Sequence, residues 1–394
     1  MSGMVRLLPP AGWAMVLAAM TLTGLGLLGI YAGEAETGTI PANTLRQAAF
    51  LAAGLGAMVV VQIINYRRLG NWSAVMYFGV LVLLALLLVA QKVSLAPFIT
   101  PRKNAYRWIF LGPLNFQVSE IAKIVYVLAL AWYLRFRTNY RTIAGLFVPF
   151  ILTLIPVGLI LKEPDLGTSL LLPPTLFIML FAAGARKRHL ALFVGLAIVA
   201  APVFYVSSLM SDYQRQRIQI LWRQADDDPR WHLNEGYQLT QSKIAVGSGG
   251  LTGEGFHEGA FFRHDLLPEE HNDFIFAVLA HQWGFIGCNV VLLCYLVIFV
   301  AGLTIATMTT DPFGRLLAVG LCALIFVQTA INISMTIGLA PITGITLPFV
   351  SQGGSALVTN YMALGLLISV ARRRVIDIAR RPFEFTDDEL VFDE

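Results

Sequence analysis

LLPEEHNDFIFAVLAHQWGFIGCNVVLLCYLVIFVAGLTI, residues 266–305, passes in one step from an acidic, histidine-bearing segment into a long apolar run. Asp273 stands at that step, directly before Phe274. The run 274–305 exceeds the ~20 residues that an α-helix needs to cross a hydrocarbon core roughly 30 Å thick. It lacks the polar–apolar alternation of a membrane β-strand. A membrane-spanning helix therefore begins here, with a carboxylate at its water boundary.

The rest of the chain repeats the pattern. Of its 394 residues, 57% are hydrophobic and 13% charged, and mean hydropathy is +0.69. Soluble domains carry about a quarter charged residues, so a soluble enzyme is excluded and an all-α polytopic membrane protein is predicted. Further runs lie at 13–31, 48–65, 73–91, 118–134, 143–161, 167–184, 189–208, 315–338 and 354–371, which brings the expected total to about ten transmembrane helices. The first run follows a single Arg6 without a small-residue cleavage site and is read as an uncleaved helix. Cys288, Cys294 and Cys322 fall inside apolar runs without metal or disulfide spacing, as small buried hydrophobes do.

Basic residues set the orientation. With the amino terminus inside, the inner side receives Arg67-Arg68, Arg135, Arg137, Arg141, Arg186 to Arg188 and Arg372 to Arg374. Residues 1–381 then form a single transmembrane domain with a large extracytoplasmic loop, 209–272, between helices 7 and 8. Both termini face the cytoplasm, and the acidic segment 382–394 is a flexible tail. The pI near 9.0 follows from such loops and their contact with anionic membrane lipids, without nucleic acid. No Walker A, Rossmann or HExxH pattern occurs, so neither nucleotide-driven chemistry nor an organic cofactor is indicated.

Polar residues concentrate in the outer loops. Arg102-Lys103, Arg107 and Trp108 place cations and an indole at headgroup depth, either as an interfacial anchor or toward an anionic ligand. Ser119 and Glu120 resemble a helix start, with Ser119 as cap. Lys123 lies one turn on, inside a span, and an intramembrane lysine is costly unless paired. Glu163 and Asp165 precede the sixth helix, where its dipole favours carboxylates, or they line the same cavity. The stretch QSKIAVGSGGLTGEG, 241–255, brings backbone amides toward a phosphate, with Lys243 and Arg263 as its basic partners. Asp265, Glu269, Glu270 and Asp273, with His257, His264, His271 and His281, suit a divalent cation (Mg2+ or Mn2+) held jointly with a substrate pyrophosphate. Asp273 is also the expected N-cap of the eighth helix. In the last outer loop, 338–360, prolines, hydroxyls and a Gly-Gly pair break the apolar pattern, and irregular backbone at that depth lines a cavity or is buried by protein. Asn332, inside the ninth run, faces the bundle.

Taken together, Arg107 to Lys123, EPDLGTS (163–169), QSKIAVGSGGLTGEG (241–255), LPEEHNDFIFAVLA (267–280) and TGITLPFVSQGGS (343–355) resemble the SEDS (shape, elongation, division, sporulation) family. The likeness runs in order over nearly the whole chain and is closer to the RodA branch than to the FtsW branch. It implies a peptidoglycan glycosyltransferase that polymerises lipid II on the outer face of the bacterial inner membrane. The implied partners are a class B penicillin-binding protein as transpeptidase and other elongasome membrane proteins. Asp273 matches the family's essential aspartate and Trp108 its outer-loop tryptophan. Arg107, Ser119, Glu120, Lys123, Lys243, Asp265, Glu269, Ser351 and Ser355 match further motif positions and are implied to contact substrate. The chain departs from the pattern at Glu163 for glutamine, Gln352 for tyrosine, Asp265 for glutamate and His281-Gln282 for an acidic pair. A lipid II flippase and a non-catalytic scaffold are the rival expectations, with a division polymerase as the rival within the family.

Overall fold

The computed structural model describes residues 9–34, 41–91, 106–111, 114–137, 139–207, 210, 212–225, 236–256 and 272–373. In chain order they form α1 (Pro10–Glu34), α2 (Ala42–Ile63), α3 (Tyr66–Ala90), β1 (Trp108–Leu111), β2 (Leu114–Gln117), α4 (Val118–Leu134), α5 (Ile143–Lys162), α6 (Leu166–Ala183), α7 (Lys187–Val206), α8 (Asp212–Trp222), α9 (Tyr237–Ser248), α10 (Ile275–Thr307), α11 (Pro312–Thr336) and α12 (Gly354–Arg372). Among the described residues, nine helices are long and apolar enough to cross a membrane. The 17-residue α4 packs among them and is buried along most of its length. The expected set of about ten spans is thereby accounted for. The acidic tail and most of the acid cluster, 257–271, lie outside the described residues.

Local signals explain where several helices start and stop. Asn65, Thr142, Asp165 and Asp311 each accept a bond from a backbone N–H in the first turn that follows, satisfying donors that have no intrahelical partner. Pro312 opens α11, where a missing N–H costs nothing. Gly184 closes α6 in the left-handed conformation.

Lipid tails are as apolar as leucine, so close packing rather than water exclusion holds such a bundle together. Helix α12 lies along α2 where a Cβ on Gly54 would meet the Tyr361 ring at 2.9 Å, and one on Gly365 the Met58 carbonyl oxygen at 2.7 Å. The α4–α11–α6 contact closes the same way, Gly320 lying against Val127 and Met179. Helices α11 and α12 form the centre, with 72% and 83% of their apolar windows buried. In α7 only Leu190 is buried. A second, smaller core joins Ile220 of α8, Leu239 and Ala245 of α9, Phe274 and Ala277, and Ile342. It fixes the residue after Asp273.

Candidate active site

The irregular segment 338–351 between α11 and α12 is the hub of the polar residues. It is buried over most of its length, in keeping with the requirement that non-helical backbone at membrane depth be enclosed by protein. Side chains from α2 and α11 satisfy its backbone. The Asn332 amide donates to the backbone oxygens of Ile345 (2.6 Å) and Asp273 (2.9 Å). Gln328 donates to the Thr346 carbonyl at 2.9 Å. Ser351 accepts from the Leu347 N–H at 2.7 Å, and Gln47 holds the Ser351 carbonyl at 3.0 Å.

Asp273 is therefore positioned by its backbone. Phe274, fully buried, occupies the cap position of α10, and the helix begins at Ile275. The expectation that Asp273 caps this helix is corrected: it stands one residue outside. Its carboxylate and the Arg217 guanidinium both lie beside Gly344. A Cβ there would lie 3.2 Å from Arg217 Nη1 and 3.4 Å from Asp273 Oδ2. Gly344 itself has φ 70°, a conformation that glycine adopts at no steric cost. Arg217 also donates to the Ile342 carbonyl at 2.8 Å.

Lys123 is buried and paired, as its position in a span requires. Its ammonium donates to Glu120 at 2.9 Å and to Gln328 at 3.0 Å. Glu120 Oε2 is buried without a hydrogen-bond partner. One turn earlier, the Ser119 hydroxyl donates to Asp165 Oδ2 at 3.0 Å, and Gln117 donates to the same oxygen at 3.2 Å. Ser119 is not the helix cap; Gln117 takes that position, because the chain arrives extended from β2. Asp165 also caps α6 through the Thr168 N–H at 3.1 Å. Polar groups thus run from Asp165 and Ser119 through Glu120, Lys123, Gln328 and Thr346, then by way of Asn332 to Asp273.

The β1–β2 hairpin, which pairs Trp108 with Gln117, lies at the start of this file. Ser355 clamps it, donating to the Asn115 carbonyl at 2.6 Å and accepting from the Gln117 N–H at 3.2 Å. Arg107 donates to the backbone oxygens of Glu163 and Pro164. Glu163 is fully buried, and both carboxyl oxygens lack a hydrogen-bond partner. Burial, and secondarily the nearby Asp165, pushes its pKa up to about 9 against a smaller opposing pull from Arg107. At neutral pH it is a neutral acid.

On the other flank, Lys243 donates to Gln224 at 3.4 Å beside Gly338. The glycine-rich stretch serves a different end from the expected phosphate cradle. Its backbone is spliced to α10: the Glu254 N–H donates to the His281 carbonyl (3.0 Å), Gly255 N–H to Gln282 (3.3 Å), and Phe285 N–H to Gly250 (2.9 Å). A Cβ on Gly249, Gly253 or Gly284 would collide with the opposing backbone. Helix α10 breaks at Gly284 (φ 60°) to admit this splice. Asp265, Glu269, Arg263, His257, His264 and His271 lie outside the described residues, and the divalent-cation expectation rests on several of them. Among the described residues no three metal-ligating side chains converge.

Comparison with known proteins places this geometry. The family model for FtsW, RodA and SpoVE, described as cell cycle protein, matches residues 13–375. The chain is 37% identical over 324 residues to the peptidoglycan glycosyltransferase MrdB of Escherichia coli, covering 82% of this chain and 84% of that one. A solved peptidoglycan synthase complex, described in terms of how polymerization and crosslinking are coordinated, contains a chain with TM-score 0.76 and 30% identity, covering 93% of this chain and 98% of its own. The rod shape determining protein RodA of Thermus thermophilus superposes with TM-score 0.66 at 29% identity, with the same coverage.

Proposed function

The chain belongs to the SEDS family and is a peptidoglycan glycosyltransferase, and on that premise we propose that Asp273 is the general base of lipid II polymerisation. Asp273 takes the proton from the acceptor sugar hydroxyl as that oxygen attacks the anomeric carbon of the donor. The configuration inverts to a β-1,4 linkage, and the lipid diphosphate leaves. General-base help of this kind contributes roughly 10²–10⁴-fold. The observation that carries the assignment is the Asn332 clamp, which fixes Asp273 against the 338–351 segment beside Arg217 over Gly344.

The departing diphosphate needs positive charge. Lys123 and Arg107 are turned to Glu120 and to backbone carbonyls, so their part is to hold the cavity wall. Arg217 and Lys243, which flank the hub, are the cations we assign to the diphosphate. Any divalent cation sharing that work would be held by residues of 257–271 with the substrate. Ser119, Glu120, Ser351 and Ser355 shape the hub and the hairpin, and Trp108 sits at the hairpin's edge.

The count of basic residues supports a location of Asp273 on the outer face of the inner membrane, with both termini inside. The likeness to a chain of the synthase complex supports a class B penicillin-binding protein as transpeptidase partner, and likeness to RodA supports a role in elongation rather than division. Asp273→Asn is expected to keep its melting temperature and to form no glycan from purified lipid II. Near-normal polymer from that variant removes Asp273 from the mechanism. Lipid II movement across vesicles without polymer from the wild-type chain would favour the flippase instead.

A further inference from the structure

At the far end of α4 from Ser119, a groove of about 430 Å³ opens between α3, α4 and α5. Arg135, at the rim of the groove, lies 16 residues or ~24 Å of helix rise beyond Ser119, at the opposite end of α4 from the start of the polar file. Tyr77 and Phe78 of α3 and Trp132 and Tyr133 of α4 supply apolar walls, and Arg135 and Arg137 stand at its rim. Phe78 and Phe136 are exposed on the lipid-facing surface.

Two features specify the occupant. The Arg135 guanidinium lies over the Trp132 ring, and its Nη1 is buried without a hydrogen-bond partner. A buried cationic N–H without an acceptor is costly, and the oxygens of a carboxylate or a phosphodiester are the acceptors that match guanidinium geometry. Arg137, stacked on Tyr133, adds a second cation at the same rim. Asp311, on this face, is already engaged by Tyr66 at 2.9 Å and Arg67 at 3.4 Å. Arg67, Arg68, Arg141 and Arg186 to Arg188 mark this as the basic face, which the positive-inside rule assigns to the cytoplasmic leaflet.

We propose that this groove is a binding site for an anionic diacyl phospholipid of the phosphatidylglycerol type, its phosphodiester on Arg135 and Arg137 and an acyl chain along Tyr77 and Phe78. The site is separate from Asp273, and the proposal does not depend on that residue's role.

The test is native mass spectrometry of the full-length chain offered equal phosphatidylglycerol and phosphatidylcholine. The wild type should retain phosphatidylglycerol preferentially, and Arg135→Gln with Arg137→Gln should lower that preference about 30-fold, the effect of two basic contacts of ordinary strength. Ala74→Trp keeps both charges but fills the groove between α3 and α4, and should abolish retention as well. Arg68→Gln, basic but outside the groove, should leave the preference intact. Unchanged preference in the double variant or in Ala74→Trp overturns the proposal. So does an equal loss in Arg68→Gln, which would mean that diffuse surface charge suffices. If the double variant does not fold, the Ala74→Trp result decides.

Discussion

Replacing Glu163 with glutamine should make the protein more stable, and increasingly so as the pH rises. The carboxyl is fully buried with both oxygens unpartnered, and its pKa rises from an ordinary 4.5 to about 9. Between those values the unfolded chain carries a carboxylate while the folded chain keeps the proton. The unfolded state binds fewer protons there, so stability falls as pH climbs through the window and levels off above the folded value. Each unit is worth about 1.4 kcal/mol. The loss is therefore under ~1 kcal/mol at pH 5, about 3 kcal/mol at pH 7 and about 6 kcal/mol once the folded group ionises. Glutamine does not titrate, and it fills nearly the same volume. Thermal unfolding of Glu163→Gln and wild type in detergent at pH 5, 7 and 8.5 should give curves that coincide at the lowest pH and diverge by several degrees at the highest. Parallel pH profiles would show that the carboxyl is solvated or ion-paired, and the reasoning from its burial would fail.

Other substitutions probe the hub. Asn332→Leu leaves the carbonyls of Asp273 and Ile345 without their donor, at about 1–3 kcal/mol each. Polymerisation should fall along with the melting temperature. Gly344→Ala forces a Cβ into a left-handed backbone position at about 1–2 kcal/mol, within 3.4 Å of both Arg217 and Asp273. The rate of glycan formation should drop further than that small stability cost explains. Lys123→Met and Glu120→Gln each leave one buried partner of a 2.9 Å ion pair alone and should cost about 3–5 kcal/mol. The double variant should be more stable than either single one, as a double-mutant cycle on melting temperatures would reveal.

The apolar runs made the helices legible because a bilayer demands about twenty apolar residues per span whatever the tertiary contacts. The run at 118–134 coincides with α4 even though it contains Glu120 and Lys123. Asn332 was legible as well, since an amide inside a span must find partners within the bundle. Two of the misses share a cause: their partners are distant in sequence. Ser119 looks like a cap from its neighbours, yet its hydroxyl goes to Asp165, 46 residues away. Arg217 was one charge among many in a polar segment, and its place beside Asp273 depends on a contact to Ile342 across 125 residues. The hairpin was hidden because its strands, of four residues each, are too short for alternation to register. The glycines of 249–255 were read for what they allow a ligand to do. What they allow is another stretch of backbone to approach.

The splice at Gly284 sets how force enters this protein. Four bonds straddle that break: the carbonyls of His281 and Gln282 accept from Glu254 and Gly255 before it, and the N–H groups of Phe285 and Ile286 donate to Gly250 and Leu251 beyond it. The chain that leaves this joint at Phe256 returns at Asn272, so both ends of the stretch 257–271 are anchored beside the same joint. Tension on that stretch would reach both halves of the helix through this one joint, with Asp273 standing at its near end.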